Sequence, residues 1–251
     1  MIQGNMSIEQ KFTLAKHAGY NGIEAPTINN PDVAGQMKEA ARKTGLKIHS
    51  IMNQLHWQYP LSSNDPEVIE KSLSGMRTSL ANAKDFGAGV VLLVPAVVNV
   101  ETSYTDAYSR SQRNIRELIP MAEESGVVIA IENVWNKFLL SPLEFSRYIE
   151  EIDSPSLKAY FDCGNIALYG YPHDWIHELG DKIVRIHVKG FDVPKKQFVN
   201  IGDGTIDWHK VRMALSDIGY NGYINAELRG GDEAYLADVC KRLGLLFEGE
   251  L

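Results

Sequence analysis

Val127-Val-Ile-Ala-Ile-Glu132, Leu157-Lys-Ala-Tyr-Phe-Asp162, Ile183-Val-Arg-Ile-His187 and Tyr223-Ile-Asn-Ala-Glu227 decide how this chain is read. Each is a short, largely apolar run that ends in a side chain able to bind a metal ion. The end residues are 30, 25 and 40 positions apart, about the length of one strand–helix unit each. Side chains alternate faces along a strand. Val127, Ile129 and Ile131 therefore oppose Val128, Ala130 and Glu132, and Leu157, Ala159 and Phe161 oppose Lys158, Tyr160 and Asp162. Val184 and Ile186 oppose Ile183, Arg185 and His187, while Ile224, Ala226 and Leu228 oppose Tyr223, Asn225 and Glu227. One face is uniformly apolar, as a sheet covered by helices requires. All four candidate ligands fall on the other face.

The rest of the chain repeats the same alternation. Ser7, with Gln10 completing a capping box, opens a helix to His17. A short strand over residues 21–25 carries Glu24. Pro31 opens a helix that stops at Thr44-Gly45, and Leu46 to Ile51 is a strand. Asp65-Pro66 starts a helix to Phe86, closed by Gly87. Val90 to Val94 is apolar on both faces, the mark of a buried parallel strand. Helices follow over Thr105–Ser125, from Ser141-Pro142 to Ile152, over Asp174–Leu179, over Asp207–Ile218 and from about Asp232 to Leu246. A long loop is expected after His187. Eight helices and seven strands predict an α/β fold, a (β/α)8 TIM barrel over residues 1–251 as one domain. Its first strand is expected to be short or missing, reduced to residues 1–6. Local side chains, or the partner chain of a homo-oligomer, would then cover the gap. A doubly wound open sheet fits less well, because its ligand site lies at one switch point rather than along four consecutive strands.

Composition narrows the function. The chain of 251 residues is 44% hydrophobic and carries a formal net charge of −7. No basic patch stands out, so nucleic acid is not an expected partner. No run of apolar residues is long enough for a membrane span. The N-terminus lacks a signal peptide pattern, and a cytoplasmic location is expected unless a signal segment lies upstream of Met1. Cys163 and Cys240 do not make a disulfide framework, and Cys163 reads as a small buried residue.

In a barrel of this kind the strand C-termini form the catalytic face. Glu132, Asp162, His187 and Glu227 would ring one spot there. Three carboxylates and an imidazole suit a hard or borderline divalent ion, Mn²⁺ or Mg²⁺ first, with Co²⁺ or Zn²⁺ as further choices.

At these residues the sequence resembles the xylose isomerase-like TIM barrels, in particular the sugar phosphate isomerase/epimerase group that includes D-tagatose 3-epimerase and hydroxypyruvate isomerase. The matching stretches are Ile131-Glu-Asn-Val-Trp-Asn, Phe161-Asp-Cys-Gly-Asn, Arg185-Ile-His-Val-Lys-Gly, Gly202-Asp-Gly-Thr-Ile-Asp-Trp and Asn225-Ala-Glu-Leu-Arg-Gly, with Ala18-Gly-Tyr-Asn-Gly-Ile-Glu near the start. The resemblance implies that Glu132, Asp162, His187 and Glu227 are metal ligands. It implies that Glu132 and Glu227 are the acid/base pair. The implied reaction is proton transfer through a cis-enediolate on a small sugar or sugar phosphate, giving epimerisation or aldose–ketose isomerisation. An alternative on the same site is a lyase or hydratase acting on a keto-sugar or inosose.

This chain departs from the epimerases at two places. Asn165 stands where they carry a histidine, and Val193 where they carry a substrate-binding arginine. Lys189 shares a face with His187, and Arg229 with Glu227, so either can hold a substrate oxyanion or phosphate. Glu24, His49, Asn165 and Trp135 complete the candidate substrate contacts.

Overall fold

The computed structural model describes residue 2 and residues 5–249. Its strands in chain order are β1 (Gly22–Pro26), β2 (Lys47–Met52), β3 (Val90–Leu93), β4 (Val128–Glu132), β5 (Leu157–Asp162), β6 (Ile183–Val188), β7 (Gly190–Asp192), β8 (Gln197–Val199) and β9 (Ile224–Ala226). Seven of them pair in parallel in the order β1-β2-β3-β4-β5-β6-β9 and curl into a nearly closed barrel. The helices are α1 (Ile8–His17), α2 (Pro31–Thr44), α3 (Pro66–Phe86), α4 (Tyr104–Ser125), α5 (Pro142–Glu150), α6 (Cys163–Ile166), α7 (Pro172–Leu179), α8 (Trp208–Asp217) and α9 (Glu233–Glu248).

Local chemistry sets the boundaries. Ser7 and Gln10 form the reciprocal capping box at α1. Asn30, Asp65, Ser103, Ser141, Asp207 and Asp232 accept a backbone N–H at the starts of α2, α3, α4, α5, α8 and α9. Gly45, Gly87 and Gly126 end α2, α3 and α4 in the left-handed conformation.

Two apolar clusters follow from the strand alternation. The larger lies between strands and helices and includes Ile51, Val91, Leu93, Ile129, Ile131, Ala159, Phe161 and Ile186. The smaller fills the barrel itself: Val90, Leu92, Ala130 and Tyr160, with Met52, Val128 and Val184 packed against them. Each fully buried large apolar side chain stabilises the fold by roughly 1.5–3 kcal/mol relative to leaving it exposed.

The structure corrects two expectations. Val184 packs against the inner cluster and Ile183 against the outer one, the reverse of strict alternation. The cause is a register shift: Ala159 pairs with Ile183 but Tyr160 with Arg185, which leaves Val184 as an extra residue. The loop after His187 contains an antiparallel hairpin, β7–β8. The turn after Asp162 is the short helix α6, capped by the Asp162 side chain. The expected reduction of the first strand over residues 1–6 falls partly outside the described residues, which leave out 1, 3 and 4. Of those described, Ile2 makes an isolated parallel bridge with Gly231.

Among the described residues no ladder joins β9 to β1. Side chains close the floor of this seam. His49 stacks on Tyr223 with ring centroids 4.2 Å apart and 8° between planes. Both rings press on Gly22, where an added Cβ would lie 2.7 Å from His49 Cδ2 and 2.9 Å from Tyr223 Cε1.

Candidate metal centre and active site

The ends of β4, β5 and β6, and the residue after β9, bring Glu132, Asp162, His187 and Glu227 together. Each offers a ligand atom, and those atoms lie within 4.8 Å of one another. Glu132, Asp162 and His187 are buried, while Glu227 is partly open. His187 Nδ1 is the centre of the group. It lies 2.8 Å from Glu132 Oε1, 3.6 Å from Glu227 Oε2 and 3.9 Å from Asp162 Oδ2.

A second carboxylate fixes the imidazole from behind. Glu24, on β1, contacts His187 Nε2 through Oε1 at 3.0 Å. Its other oxygen accepts from Ser50 Oγ at 2.9 Å and from Tyr160 OH at 2.6 Å. Asn225 donates to the same Tyr160 hydroxyl. A carboxylate on the far ring nitrogen orients a ligand histidine and raises its basicity. Asp162 is held from its backbone. Its N–H donates to Asn133 Oδ1 at 2.8 Å, and its C=O accepts from Asn133 Nδ2 at 2.9 Å. Its Oδ1 accepts the Asn165 N–H at 2.7 Å. Lys189 reaches in beside them, with Nζ 2.8 Å from Asp162 Oδ2 and in contact with Glu227 Oε2. Its stem leaves no room beside Gly164, where an added Cβ would meet Lys189 Cγ and lie 2.9 Å from the Lys189 carbonyl.

Four carboxylates therefore share two cationic side chains, and their ionisation is driven apart. Burial pushes Glu132 up to about 7 against the pull of His187. Burial likewise raises Asp162 to about 6 despite Lys189. At Glu227, burial is outweighed by His187 and Lys189, and its carboxyl lies below the usual range. At Glu24, burial is outweighed by the His187 charge and hydrogen bond, which hold it at about 2. Burial opposes the charged form of His187, but Glu24 and Glu132 raise it well above the ordinary imidazole value.

The donor set fits a divalent cation. Ligand bonds of roughly 2.0–2.6 Å span atoms spaced this closely. Three carboxylates with one imidazole match a hard or borderline ion. Asp162 Oδ2 is fully buried and receives no directed hydrogen bond, having the Lys189 ammonium at 2.8 Å and His187 Nδ1 at 3.9 Å as ionic neighbours.

The sequence matches the family of xylose isomerase-like TIM barrels over residues 12–243. The chain belongs to that family. An L-ribulose-5-phosphate 3-epimerase of Salmonella heidelberg (strain SL476) is 24% identical over 226 residues, spanning 85% of this chain and 79% of the relative. Among solved structures, an L-ribulose 3-epimerase superposes with a TM-score of 0.83 at 20% identity, over 97% of this chain and 89% of the other. A 3-keto-D-glucoside 4-epimerase from E. coli, in its apo form, superposes with a TM-score of 0.82 at 19% identity, over 97% and 96% of the two chains. At these identities the structural likeness establishes the barrel.

The other candidate residues divide by position. Within this family barrel, Asn165 and Trp135 are linked to the cluster: Asn165 Nδ2 donates to the Asn133 carbonyl at 2.9 Å, and Trp135 Nε1 donates to the Asn165 carbonyl at 2.8 Å. Lys189 is an ion-pair partner of two cluster carboxylates. Arg229 is exposed beyond β9. His49 is buried on the floor, where the Ile23/Glu24 register shift sets it out of line with Ser50. Burial and the nearby Arg185 lower its pKa to about 4. Tyr160, Ser50, Asn133 and Asn225 support the cluster and were not among the candidates. Tyr160 and Asn225 could have been found, since they share a strand face with Asp162 and Glu227. Asn133 lies in the Ile131-Glu-Asn-Val-Trp-Asn stretch, but strand alternation sets it on the opposite face from Glu132.

Proposed function

We propose that this chain is a divalent-metal-dependent isomerase of keto-sugars, most simply an epimerase, with Glu132 and Glu227 as its proton-transfer pair. The observation that carries this reading is the convergence of Glu132, Asp162, His187 and Glu227 on one spot at the strand C-termini. The relatives named above are epimerases of small sugars, which supports the same class of reaction. Mn²⁺ is the expected ion, on the chemistry of the donor set.

When bound, the ion polarises a substrate carbonyl and the neighbouring hydroxyl and so acidifies the C–H between them. The chain's own residues do the rest. Glu227, kept anionic by His187 and Lys189, is placed to remove the proton. Glu132 lies on the same spot as Glu227, and on this reading it is the partner that returns the proton. Removal by one and return by the other, through a cis-enediolate, inverts the carbon. Return to the adjacent carbon interconverts ketose and aldose. Glu24, Ser50 and Tyr160 keep His187 in a single orientation, and Asn133 holds the Asp162 backbone.

The test is a panel of ketoses, ketose phosphates and keto-glycosides incubated with the Mn²⁺-loaded protein in D₂O and followed by NMR. Solvent deuterium should enter at the carbon next to the carbonyl, with a product of equal mass. Loss of water instead would assign a lyase. Exchange in both Glu132→Gln and Glu227→Gln at rates within a few-fold of the parent would sink the assignment of the pair.

A further inference from the structure

The rim of the cluster carries an aromatic group that the proton-transfer chemistry does not use. Trp135, after β4, stacks on Phe198 of β8 with centroids 4.9 Å apart and 23° between planes. Phe191 of β7 meets Trp135 and Phe198 edge-on, at 5.9 Å and 5.3 Å. Phe191 is fully buried, but Trp135 stays 46% exposed and Phe198 42%. Val193, at the hairpin turn, adds an apolar side chain that is 39% exposed. A contiguous apolar surface left open to water marks a binding face more often than a packing fault.

Its position ties it to the reaction site. The Trp135 indole N–H is bonded to the Asn165 carbonyl, and the Asn165 N–H caps Asp162 Oδ1. On the other side, Lys189 Nζ lies 4.9 Å from the Phe198 ring centroid and 2.8 Å from Asp162 Oδ2. The wall therefore begins one side chain away from the candidate metal ligands. A substrate held by the carboxylates must extend along it or away from it.

We propose that Trp135 and Phe198 form a stacking platform for a neutral six-membered sugar ring, so that the substrate is a ring-closed keto-sugar or its glycoside rather than an open-chain ketose phosphate. This inference rests on the isomerase reading for the reacting carbon. The platform itself follows from the chemistry of its surface. A pyranose ring presents a flat face of C–H groups, which packs on an aromatic face. The negative face of the π system repels a phosphate dianion. The indole N–H is already used by Asn165, so Trp135 offers only its ring. The hairpin gives the platform a fixed base, because β7 and β8 pair over Gly190–Val199, Phe191–Phe198 and Asp192–Gln197.

The experiment compares the full-length chain with W135A, W135F, F198A and R229Q, the last because exposed Arg229 is the alternative anchor for a phosphate. Methyl β-D-glucopyranoside and ribulose 5-phosphate serve as binding probes, read by saturation-transfer NMR. A 3-keto-glucoside and ribulose 5-phosphate are then followed for C–H exchange in D₂O. Saturation should pass from aromatic protons to the pyranoside ring. W135A and F198A should each weaken pyranoside binding about tenfold and raise KM for the keto-glucoside with kcat nearly unchanged. W135F should recover most of the loss. Should W135A fold poorly, F198A carries the same test. Pyranoside binding that is indifferent to both aromatic substitutions overturns the platform. So does ribulose 5-phosphate turnover whose KM rises in R229Q and not in W135A. Trp135-dependent pyranoside binding without C–H exchange on any substrate leaves the platform standing and removes the isomerase reading instead.

Discussion

Asp162 and Glu227 belong to the same cluster, yet one side chain is fully buried and the other is 43% exposed. The difference comes from the strands that carry them. β5 has six residues and is paired on both sides, by β4 and β6. β9 has three residues and, among those described, a ladder to β6 alone. Glu132, Asp162 and His187 therefore stand on a rigid wall whose interior is packed with Val90, Leu92, Ala130 and Tyr160. Glu227 stands at the seam, steered mainly by Lys189 and His187. A fixed cup with one less confined carboxylate suits proton transfer. The cup holds charge in place, and the carboxylate at the seam has the room to reach a substrate carbon.

The largest expected effect tests that contrast directly. Glu132→Gln and Glu227→Gln should each slow C–H exchange by about 10²–10⁴-fold, the usual contribution of general acid/base catalysis. Their stabilities should differ. Glu132 is buried and its ionisation is opposed, so Glu132→Gln should raise the melting temperature of the metal-free protein at pH 8. Glu227→Gln, at the open seam, should leave it nearly unchanged. Equal shifts in the two variants would show that burial does not separate the two carboxylates.

Next in size is the support behind His187. Glu24→Ala removes the partner of Nε2, and losses of this kind cost about 10–100-fold in metal affinity. An Mn²⁺ titration read by EPR measures it. Affinity unchanged from the parent would mean that Glu24 does not orient His187. The same measurement on Lys189→Met should go the other way, toward tighter binding, because the ammonium and an added cation compete for Asp162 Oδ2 and Glu227 Oε2.

A smaller effect is the pH dependence of stability without added metal. Glu132 and Asp162 have folded pKa values of about 7 and about 6, above their ordinary 4.5 and 3.8. The stability tied to each is present in full below the unfolded value and is lost as pH rises through the folded value. His187 is also raised and has the same sign. Glu24, held at about 2, has the opposite sign and acts only as pH falls below its ordinary 4.5. The melting temperature should therefore fall between pH 5 and pH 8, and saturating Mn²⁺ should remove the fall. A flat profile without metal would contradict the raised values.

Most of this arrangement was legible where alternation runs unbroken. Along β4 and β5, and up to Glu227, each candidate ligand falls on the inward face that residue counting assigns. Counting fails at Val184, because an extra residue in a parallel ladder is fixed by the register of the neighbouring strand. The β7–β8 hairpin was hidden because its strands are three residues long and Pro194 lies between them. The bond from Tyr160 to Glu24 joins residues 136 positions apart, and only barrel closure brings them together.

The smallest functional effect is expected on the floor of the seam, and it shows how far the two regions are independent. Gly22 leaves no room for a Cβ, which would lie 2.7 Å from His49 Cδ2 and 2.9 Å from Tyr223 Cε1. Gly22→Ala must therefore push on the stacked pair that closes the gap between β1 and β9. Overpacking of this kind costs about 1–3 kcal/mol. Among the described residues no hydrogen bond or ion pair joins the His49 side chain to the four cluster residues, and its pKa of about 4 keeps it neutral at pH 7. The strain should thus be absorbed as lost stability, with Mn²⁺ affinity and exchange rate within two- to threefold of the parent. Thermal melting and Mn²⁺ titration of the one variant separate the two quantities. If Mn²⁺ affinity falls as far as in Glu24→Ala, the floor transmits its strain through β1 to Glu24 and His187. The seam would then be part of the catalytic apparatus rather than a closure beneath it.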